Sequence, residues 1–357
     1  MRAAILTSYD EPLTIEDLEP RPLGPRDMRV RIDACGVCHS DLTIARGGMP
    51  IPLPAILGHE GAGTVLEVGG DVRRATPGDR VIITGNHCGT CAACLAGQVR
   101  QCHAAAESAM APKGRRADGT DVIGLGGMGL YADELPMHET QVLTVDSPLP
   151  AEQLALIGCA VATGAGAALF TAKVQPASTV AIIGLGGVGL SAVQGARICG
   201  ASRIFVIDPV ATKRDQAAQL GATDLVDPGD GDPVQQVRDA TGGVGVDYVF
   251  EVVGRPELMV QAYQLTRRNG TVVIVGMAKA TDTLTLPALP LMTEGKRLLG
   301  SFMGGTDIPR DYPKLIRLAE SGQLDVGALV TRTIALDDVN DAMRAMEAGE
   351  VIRSVIV

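Results

Sequence analysis

The segment 179–189, Thr-Val-Ala-Ile-Ile-Gly-Leu-Gly-Gly-Val-Gly, restricts the possible folds of this chain more than any other stretch. An apolar strand meets Gly184-Leu185-Gly186-Gly187-Val188-Gly189, and the apolar pattern then takes up a helical period that closes at Gly200. A strand, a glycine turn and a helix in that order form the first unit of a parallel doubly wound sheet. The glycines permit a tight turn and a close approach of an anion, and the helix N-terminus supplies the donors for it. Asp208 stands nineteen residues past the last glycine, at the tip of the next predicted strand. A carboxylate there accepts hydrogen bonds from ribose hydroxyls and repels a 2′-phosphate, which predicts NAD over NADP. A second match, Gly124-Leu125-Gly126-Gly127-Met128-Gly129, has a two-residue apolar lead-in and Pro136 behind it. That segment reads as an ordinary turn into a strand.

The rhythm of strand and helix continues past the fingerprint. Strands are predicted at 202–208, 225–227, 246–251 and 271–276, and helices at 213–220, 234–240 and 259–265. The first 150 residues are different, with short Val/Ile runs at 28–32, 63–68 and 80–84 broken by Pro and Gly, the pattern of a β-rich domain. After about residue 302 come a charge-rich helix at 312–320, a helical stretch at 342–346 and a last strand at 352–357. With 357 residues, two domains are expected. The run from 153 to 196 carries only Lys173 as a charge, but its glycines, Pro176 and hydroxyl residues suit a buried helix and strand rather than a membrane span.

Eight cysteines are distributed unevenly. Four lie at Cys88-x2-Cys91-x2-Cys94-x7-Cys102, a spacing that suits a closed, tetrahedral structural zinc site. A bacterial ferredoxin run would have three residues before its fourth cysteine and a proline after it, whereas here the gap is seven and His103 follows. His87 and His103 are read as bystanders, because four thiolates complete the shell. Cys38, His59 and Cys159 are distant from one another, and such a trio leaves one tetrahedral corner open, the pattern of a catalytic zinc. Cys159 lies just upstream of the nucleotide strand, at the predicted domain junction. Cys35 and Cys199 are read as small buried hydrophobes.

A net charge of −10 disfavours a nucleic-acid or anionic-membrane partner. The opening MRAAILTSYDEP has too short an apolar run for a signal-peptide core, so the expectation is a cytoplasmic protein whose cysteines are thiols and metal ligands.

These motifs together resemble those of the zinc-dependent alcohol dehydrogenases of the medium-chain dehydrogenase/reductase superfamily. The likeness rests on Gly58-His59-Glu60, the four-cysteine lobe, the glycine fingerprint and the tail Gly349-Glu350-Val351-Ile352-Arg353-Ser354. The resemblance implies an α/β fold: a GroES-like catalytic domain from 1–158 and 302–357, with the lobe at about 86–104, around a Rossmann NAD-binding domain at 159–301. It implies NAD and two Zn²⁺ per chain, a small-molecule primary alcohol, aliphatic or aromatic, or its aldehyde as substrate, and a homodimer or homotetramer. Sorbitol- and threonine-type relatives carry a carboxylate as third ligand, so Cys159 points to the alcohol branch.

Residue by residue, the resemblance implies that Ser40 takes the alcohol proton, Asp41 orients His59, and Glu60 stands behind the metal as a transient ligand. It assigns His39 and Arg353 to the cofactor pyrophosphate, Lys213 to the adenosine ribose, and Val188, Val252, Val275 and Met277 to the cofactor site. One departure stands out: relatives that end the proton relay in histidine do so where this chain has Thr43. Thiol-adduct formaldehyde dehydrogenases carry an arginine four residues after the last lobe cysteine, where this chain has Ala106, which disfavours that activity. The segment 104–121, with Lys113-Gly114-Arg115-Arg116, is a candidate for the pocket mouth or a solvated face. With no Trp, four Phe and five Tyr, aliphatic side chains are expected to line the substrate site. A non-catalytic dinucleotide sensor is the alternative of a different class, and loss of a catalytic ligand would mark it.

Overall fold

The structure, a computed structural model, describes residues 1–105 and 109–357. It divides into two compact units, one formed by 1–159, 307–320 and 326–357, the other by 160–306 and 321–325.

The second unit is a parallel sheet of six strands in the order Asp224–Val226, Arg203–Ile207, Thr179–Ile183, Val246–Glu251, Thr266–Ile274, Arg297–Gly300. Every pairing is parallel. In chain order this is three-two-one-four-five-six, so the sheet reverses direction between Thr179–Ile183 and Val246–Glu251, at the carboxyl end where ligands of such sheets bind. Val180, Ala181 and Ile182 are wholly buried, which explains an unbroken apolar strand rather than an alternating one. Residues 302–306 fall in this unit, although the sequence reading assigned them to the other. Gly304 sits so close to the carbonyl of Ala162 that an added Cβ would come within 1.9 Å of it. Residues 321–325 join it because Gln194 both accepts from Asp325 N at 2.6 Å and donates to Asp325 O at 3.1 Å.

The first unit holds two sheets. One runs Thr14–Asp17, Arg2–Leu6, Ala55–Ile56, Asp121–Gly124, Pro112–Arg115, Glu19–Pro20. The other centres on the ten-residue strand Asp27–Gly36. Gly61–Val68 lies antiparallel along one edge of it, while Glu134–His138 and the C-terminal Ser354–Ile356 share the other. The chain terminus thus returns to the strand that precedes Cys38. The helix Ile308–Glu320 begins four residues before its predicted start and passes through Pro313. Its first turn is anchored by Asp311, whose buried carboxylate accepts from Asp307 N at 2.9 Å and pairs with Arg310 and Lys314.

The apolar helix Ala151–Ala172 is long enough to cross a membrane, but 83% of its most apolar window is buried within the protein. The glycine run at 124–129 is a turn: Leu125–Gly127 forms one 3₁₀ turn, and Gly126, Gly127 and Gly129 all have positive φ. Within 104–121, Pro112–Arg115 is a strand, Lys113 is buried with its amine on Pro136 O at 3.0 Å, and Arg115 and Arg116 pair with Asp121 and Glu16. Ala106 lies outside the described residues.

Candidate metal and cofactor sites

One antiparallel pairing brings Cys38 and His59 together. Cys35 faces Gly61 across the two strands, and Gly36 N donates to Glu60 O at 2.8 Å. Cys38 lies three residues beyond one end of this register and His59 two before the other. Cys159 arrives from the helix Ala151–Leu156, within the π turn Ile157–Val161. The ligand atoms of Cys38, His59 and Cys159 all lie within 4.8 Å of one another. Zinc bonds of about 2.0–2.3 Å in tetrahedral array need donors roughly 3.5 Å apart, so a small contraction suffices.

The electrostatics of the trio favour a cation. Cys159 holds the Cys38 thiol well below its ordinary pKa by hydrogen bonding, against the opposing effect of burial. The same bond and burial push Cys159 well above. Burial opposes the His59 imidazolium, but Asp41 and Cys159 outweigh it and hold His59 well above its ordinary value. A metal ion would replace these protons.

Asp41 supports the site. It is wholly buried in the first turn of the helix His39–Ala45. Oδ1 accepts from Gly58 N at 2.9 Å and meets His59 Nδ1 at 3.2 Å. Oδ2 accepts from Tyr131 OH at 2.9 Å and Cys38 N at 3.2 Å. Four donors on one carboxylate fix the Nδ1–H tautomer of His59 and leave Nε2 for a metal. Tyr131 was not singled out in the sequence. Gly58 has φ +88, and an added Cβ would meet the Tyr131 ring at 2.6 Å, so the glycine beside the histidine was the available signal.

Ser40 Oγ lies 3.8 Å from Cys38 Sγ. The Thr43 hydroxyl donates back to His39 O at 3.0 Å, the usual use of a threonine within a helix. His39 is exposed. Glu60 is buried beside Arg353 at 3.1 Å and is not among the clustered metal donors. Gly36 makes room for it, since a Cβ there would come within 2.1 Å of Glu60 Oε2. Arg353 is 2% exposed, and its guanidinium pairs with Glu60 and donates to Val37 O at 3.3 Å. The return of the C-terminal strand beside Gly36 dictates that direction.

In the lobe, Cys88, Cys91, Cys94 and Cys102 also converge within 4.8 Å. Backbone N–H groups already point at the sulfurs, with Cys88 N on Cys102 Sγ at 3.2 Å and Cys91 N on Cys88 Sγ at 3.3 Å. Hydrogen bonds from Thr90 and Cys91 draw the Cys88 thiol down to about 5, whereas burial pushes Cys94 up to about 12. A set with some thiols ready to ionise and another waiting for a cation fits a Cys₄ zinc site.

In the parallel-sheet unit, the fingerprint folds as a tight turn. Gly184 has φ +95, and a Cβ on Gly189 would lie 1.9 Å from Gly184 O, so neither position admits a side chain. A Cβ on Gly186 would meet nothing within 4 Å, so this glycine leaves the start of the helix Gly187–Ile198 approachable. No side chain caps that helix, which leaves the N–H groups of its first turn, Val188 included, without a side-chain acceptor, as an anion site requires. Asp208 is committed to the turn: its Oδ2 accepts from Leu185 N at 2.8 Å and its Oδ1 from Val210 N at 2.9 Å. Lys213 is half-buried nearby. Arg214, overlooked in the sequence, donates to Asp208 O at 2.6 Å and pairs with Asp227 at 2.6 Å.

Val252 Cγ2 would lie 3.3 Å from a Cβ on either Gly184 or Gly189, so Val252 borders the fingerprint. Val275 and Met277 lie in the neighbouring loop, which stacks on the first where Gly254 meets Met277 O. Glu251, also overlooked, binds both loops. Its Oε1 accepts from Val253 and Gly254 N, and its backbone carbonyl accepts from Val275 and Gly276 N. Burial pushes its carboxyl up.

Two family descriptions match the chain: "Alcohol dehydrogenase GroES-like domain" over residues 24–147 and "Zinc-binding dehydrogenase" over 187–321. Among curated relatives, an S-(hydroxymethyl)glutathione dehydrogenase of Synechocystis is 37% identical, covering 99% of this chain and of the relative. A geraniol dehydrogenase of Castellaniella defragrans is 36% identical, covering 100% of this chain and 97% of the relative. Among solved structures, benzyl alcohol dehydrogenase of Acinetobacter calcoaceticus superposes with a TM-score of 0.92 at 31% identity, covering 99% of this chain and 98% of that one. A zinc-binding dehydrogenase of Sinorhizobium meliloti bound to NADP superposes at 0.84 with 28% identity, covering 100% and 98%.

Proposed function

We propose that this chain, which belongs to the zinc-dependent alcohol dehydrogenases of the medium-chain dehydrogenase/reductase superfamily, interconverts primary aromatic or allylic alcohols and their aldehydes with NAD. Its fold is accordingly a GroES-like domain with a Rossmann-type parallel sheet. The observation that carries the reading is the convergence of Cys38, His59 and Cys159 on one point with Asp41 behind the histidine. Substrate class follows the benzyl alcohol and geraniol dehydrogenases among its neighbours. The relative named for S-(hydroxymethyl)glutathione supports a second reading, which Ala106 in place of an arginine weakens.

Oxidation removes a proton from the hydroxyl and a hydride from the carbon. Held by the trio, a zinc ion would supply Lewis acidity, worth on the order of 12 kcal/mol where such a site takes water's pKa from about 15.7 to about 7. General-base help adds only about 3–5 kcal/mol, so the side chains need only carry the proton away. Ser40, beside Cys38, is the first acceptor. Thr43 donates its hydroxyl proton to His39 O and offers no basic end to the relay, so the proton would have to leave by water or by the cofactor ribose. Asp41 holds His59 in the ligating tautomer. Arg353 neutralises Glu60 and keeps that buried carboxylate tolerable; Glu60 would reach a metal only by leaving Arg353.

On the cofactor side, the first turn of Gly187–Ile198 would hold the pyrophosphate, and the remaining lone pairs of Asp208 would accept from the ribose hydroxyls. Arg214 is tied to Asp227 and so is not available to a 2′-phosphate, which supports NAD. His39, Lys213, Val252, Val275, Met277 and Arg353 are the further residues that would contact the cofactor. Four cysteines in the lobe make the second zinc structural. A homodimer or homotetramer forms through the open edge strand Arg297–Gly300, where Leu298 is exposed along with Leu289, Met292 and Phe302. A reducing cytoplasm suits eight free thiols.

The test is an NADH-formation screen over benzyl alcohol, geraniol, short aliphatic alcohols and formaldehyde with glutathione, alongside metal analysis. Turnover of the first two and about two zinc per chain are expected. Preference for the glutathione adduct would overturn the substrate assignment, and one zinc or none would overturn the metal assignment.

A further inference from the structure

A hydrogen-bonded path within the first unit joins the four-cysteine lobe to the backbone that carries Cys159. Arg100 stands in the 3₁₀ turn Val99–Gln101, immediately before Cys102. Its Nη2 donates to Tyr312 OH at 2.6 Å, and the guanidinium lies 5.7 Å from the centre of the Tyr312 ring. Tyr312 is wholly buried in the helix Ile308–Glu320, and its hydroxyl donates to Gly158 O at 2.9 Å. That carbonyl belongs to the peptide plane that also contains the nitrogen and Cα of Cys159. Fixing it fixes the orientation from which Cys159 Sγ projects. The same segment, Ile157–Val161, is a π turn, a geometry common at functional sites and dependent on tertiary contacts to persist.

We propose that Tyr312 is a positioning residue for the Cys38–His59–Cys159 site, oriented by Arg100 so that order in the lobe is transmitted to Cys159. The inference rests on the reading of the trio as a metal site. A phenol buried only for packing is satisfied by one partner, which any nearby carbonyl could supply. Here the hydroxyl accepts from a charged donor and passes its own proton to the carbonyl, a polarised arrangement stronger than two neutral bonds. Metal ions on the lobe cysteines would hold Cys102 and hence Arg100, so the path runs from one metal site to the other through three residues. Asp311, next to Tyr312 in the chain, anchors the start of the helix independently of either site.

The experiment is zinc competition with a chromophoric chelator on the intact holoenzyme, which separates two classes of ion. The class that disappears in Cys38→Ser is the trio's. Wild type must show that class, and its absence would overturn the metal-site reading itself. Tyr312→Phe keeps the ring and removes the hydroxyl. It is expected to weaken the trio class about 10-fold, in the range for outer-shell partners of a metal, while leaving the lobe class within twofold. Arg100→Met, at a half-exposed residue that threatens folding less, should give a smaller loss in the same class, and Arg100→Lys should recover part of it. The double variant should be no worse than Tyr312→Phe alone, because both lie on one path. Trio affinity unchanged in Tyr312→Phe, equal loss from both classes, or additive losses in the double variant would each overturn the proposal.

Discussion

Asp41 Oδ1 meets His59 Nδ1 at 3.2 Å with the carboxylate wholly buried, and the same oxygen accepts from Gly58 N at 2.9 Å. One side chain thus sets both the ring orientation of a metal ligand and the backbone that delivers it. Asp41→Asn preserves size but turns one acceptor into a donor, facing groups that are all donors. Turnover should fall about 10–100-fold with weaker zinc retention. Steady-state kinetics with zinc analysis checks this, and a variant with both quantities unchanged would refute the role.

Thr43 contributes no base. Thr43→His should raise the rate of alcohol oxidation near neutral pH and add a histidine-like limb to the pH profile of kcat. An identical kcat across pH in variant and wild type would show that the relay does not pass this position.

Asp208 should decide between the two dinucleotides. Asp208→Asn removes the charge that repels a 2′-phosphate and keeps one of the two acceptors that the turn uses. The kcat/KM ratio of NAD to NADP should drop at least about 10-fold, equivalent to roughly 1.4 kcal/mol. Fluorescence titration with NADH and NADPH gives the binding side of the same comparison. An unmoved ratio would transfer the discrimination to another residue.

Lys113 links stability to pH. Burial, followed by the neighbouring Arg21 charge, lowers its pKa from 10.5 to about 7. Below about pH 7 both folded and unfolded chains hold the proton, and the folded state bears the full cost of a buried charge. Between about 7 and 10.5 the unfolded chain binds more protons, so this site adds stability as pH rises. Lys113→Met should therefore stabilise most at pH 6, on the order of 2–4 kcal/mol, and least near pH 10. Denaturant melts at three pH values test the sign, and a gain that grows with pH would contradict it.

Leu298 lies on the open edge of the parallel sheet, 40% exposed. Leu298→Lys should shift the oligomer towards monomer in light scattering after size exclusion, since a lysine on an edge strand opposes pairing. A monomeric wild type, or an unaltered oligomer in the variant, would remove the edge from consideration.

The parts of the site that were readable in advance are those whose geometry is settled within a few residues. The turn at Gly184–Gly189 is such a part, because a positive φ and a 1.9 Å approach leave only glycine. The lobe spacing is another, since four sulfurs within fifteen positions can reach one ion. The trio was legible as chemistry, Cys and His being few, but its meeting depends on the register that puts Cys35 opposite Gly61.

Tyr131, Arg214, Glu251 and Tyr312 were not legible, and neither was the pairing of Arg353 with Glu60. Each acts through a partner distant in the chain, and nothing local distinguishes a buried tyrosine hydroxyl with a task from one that is merely packed. Short-range pattern specifies which atoms are available as metal donors, where a glycine turn opens a helix, and that strands alternate with helices in one half. Tertiary structure alone decided that the C-terminal strand lies against Gly36 and turns Arg353 towards Glu60. Ligand identity and turn geometry follow from covalent chemistry and short-range sterics. Long-range partners follow from strand register and burial, where satisfying a buried charge selects among arrangements that local pattern leaves equal.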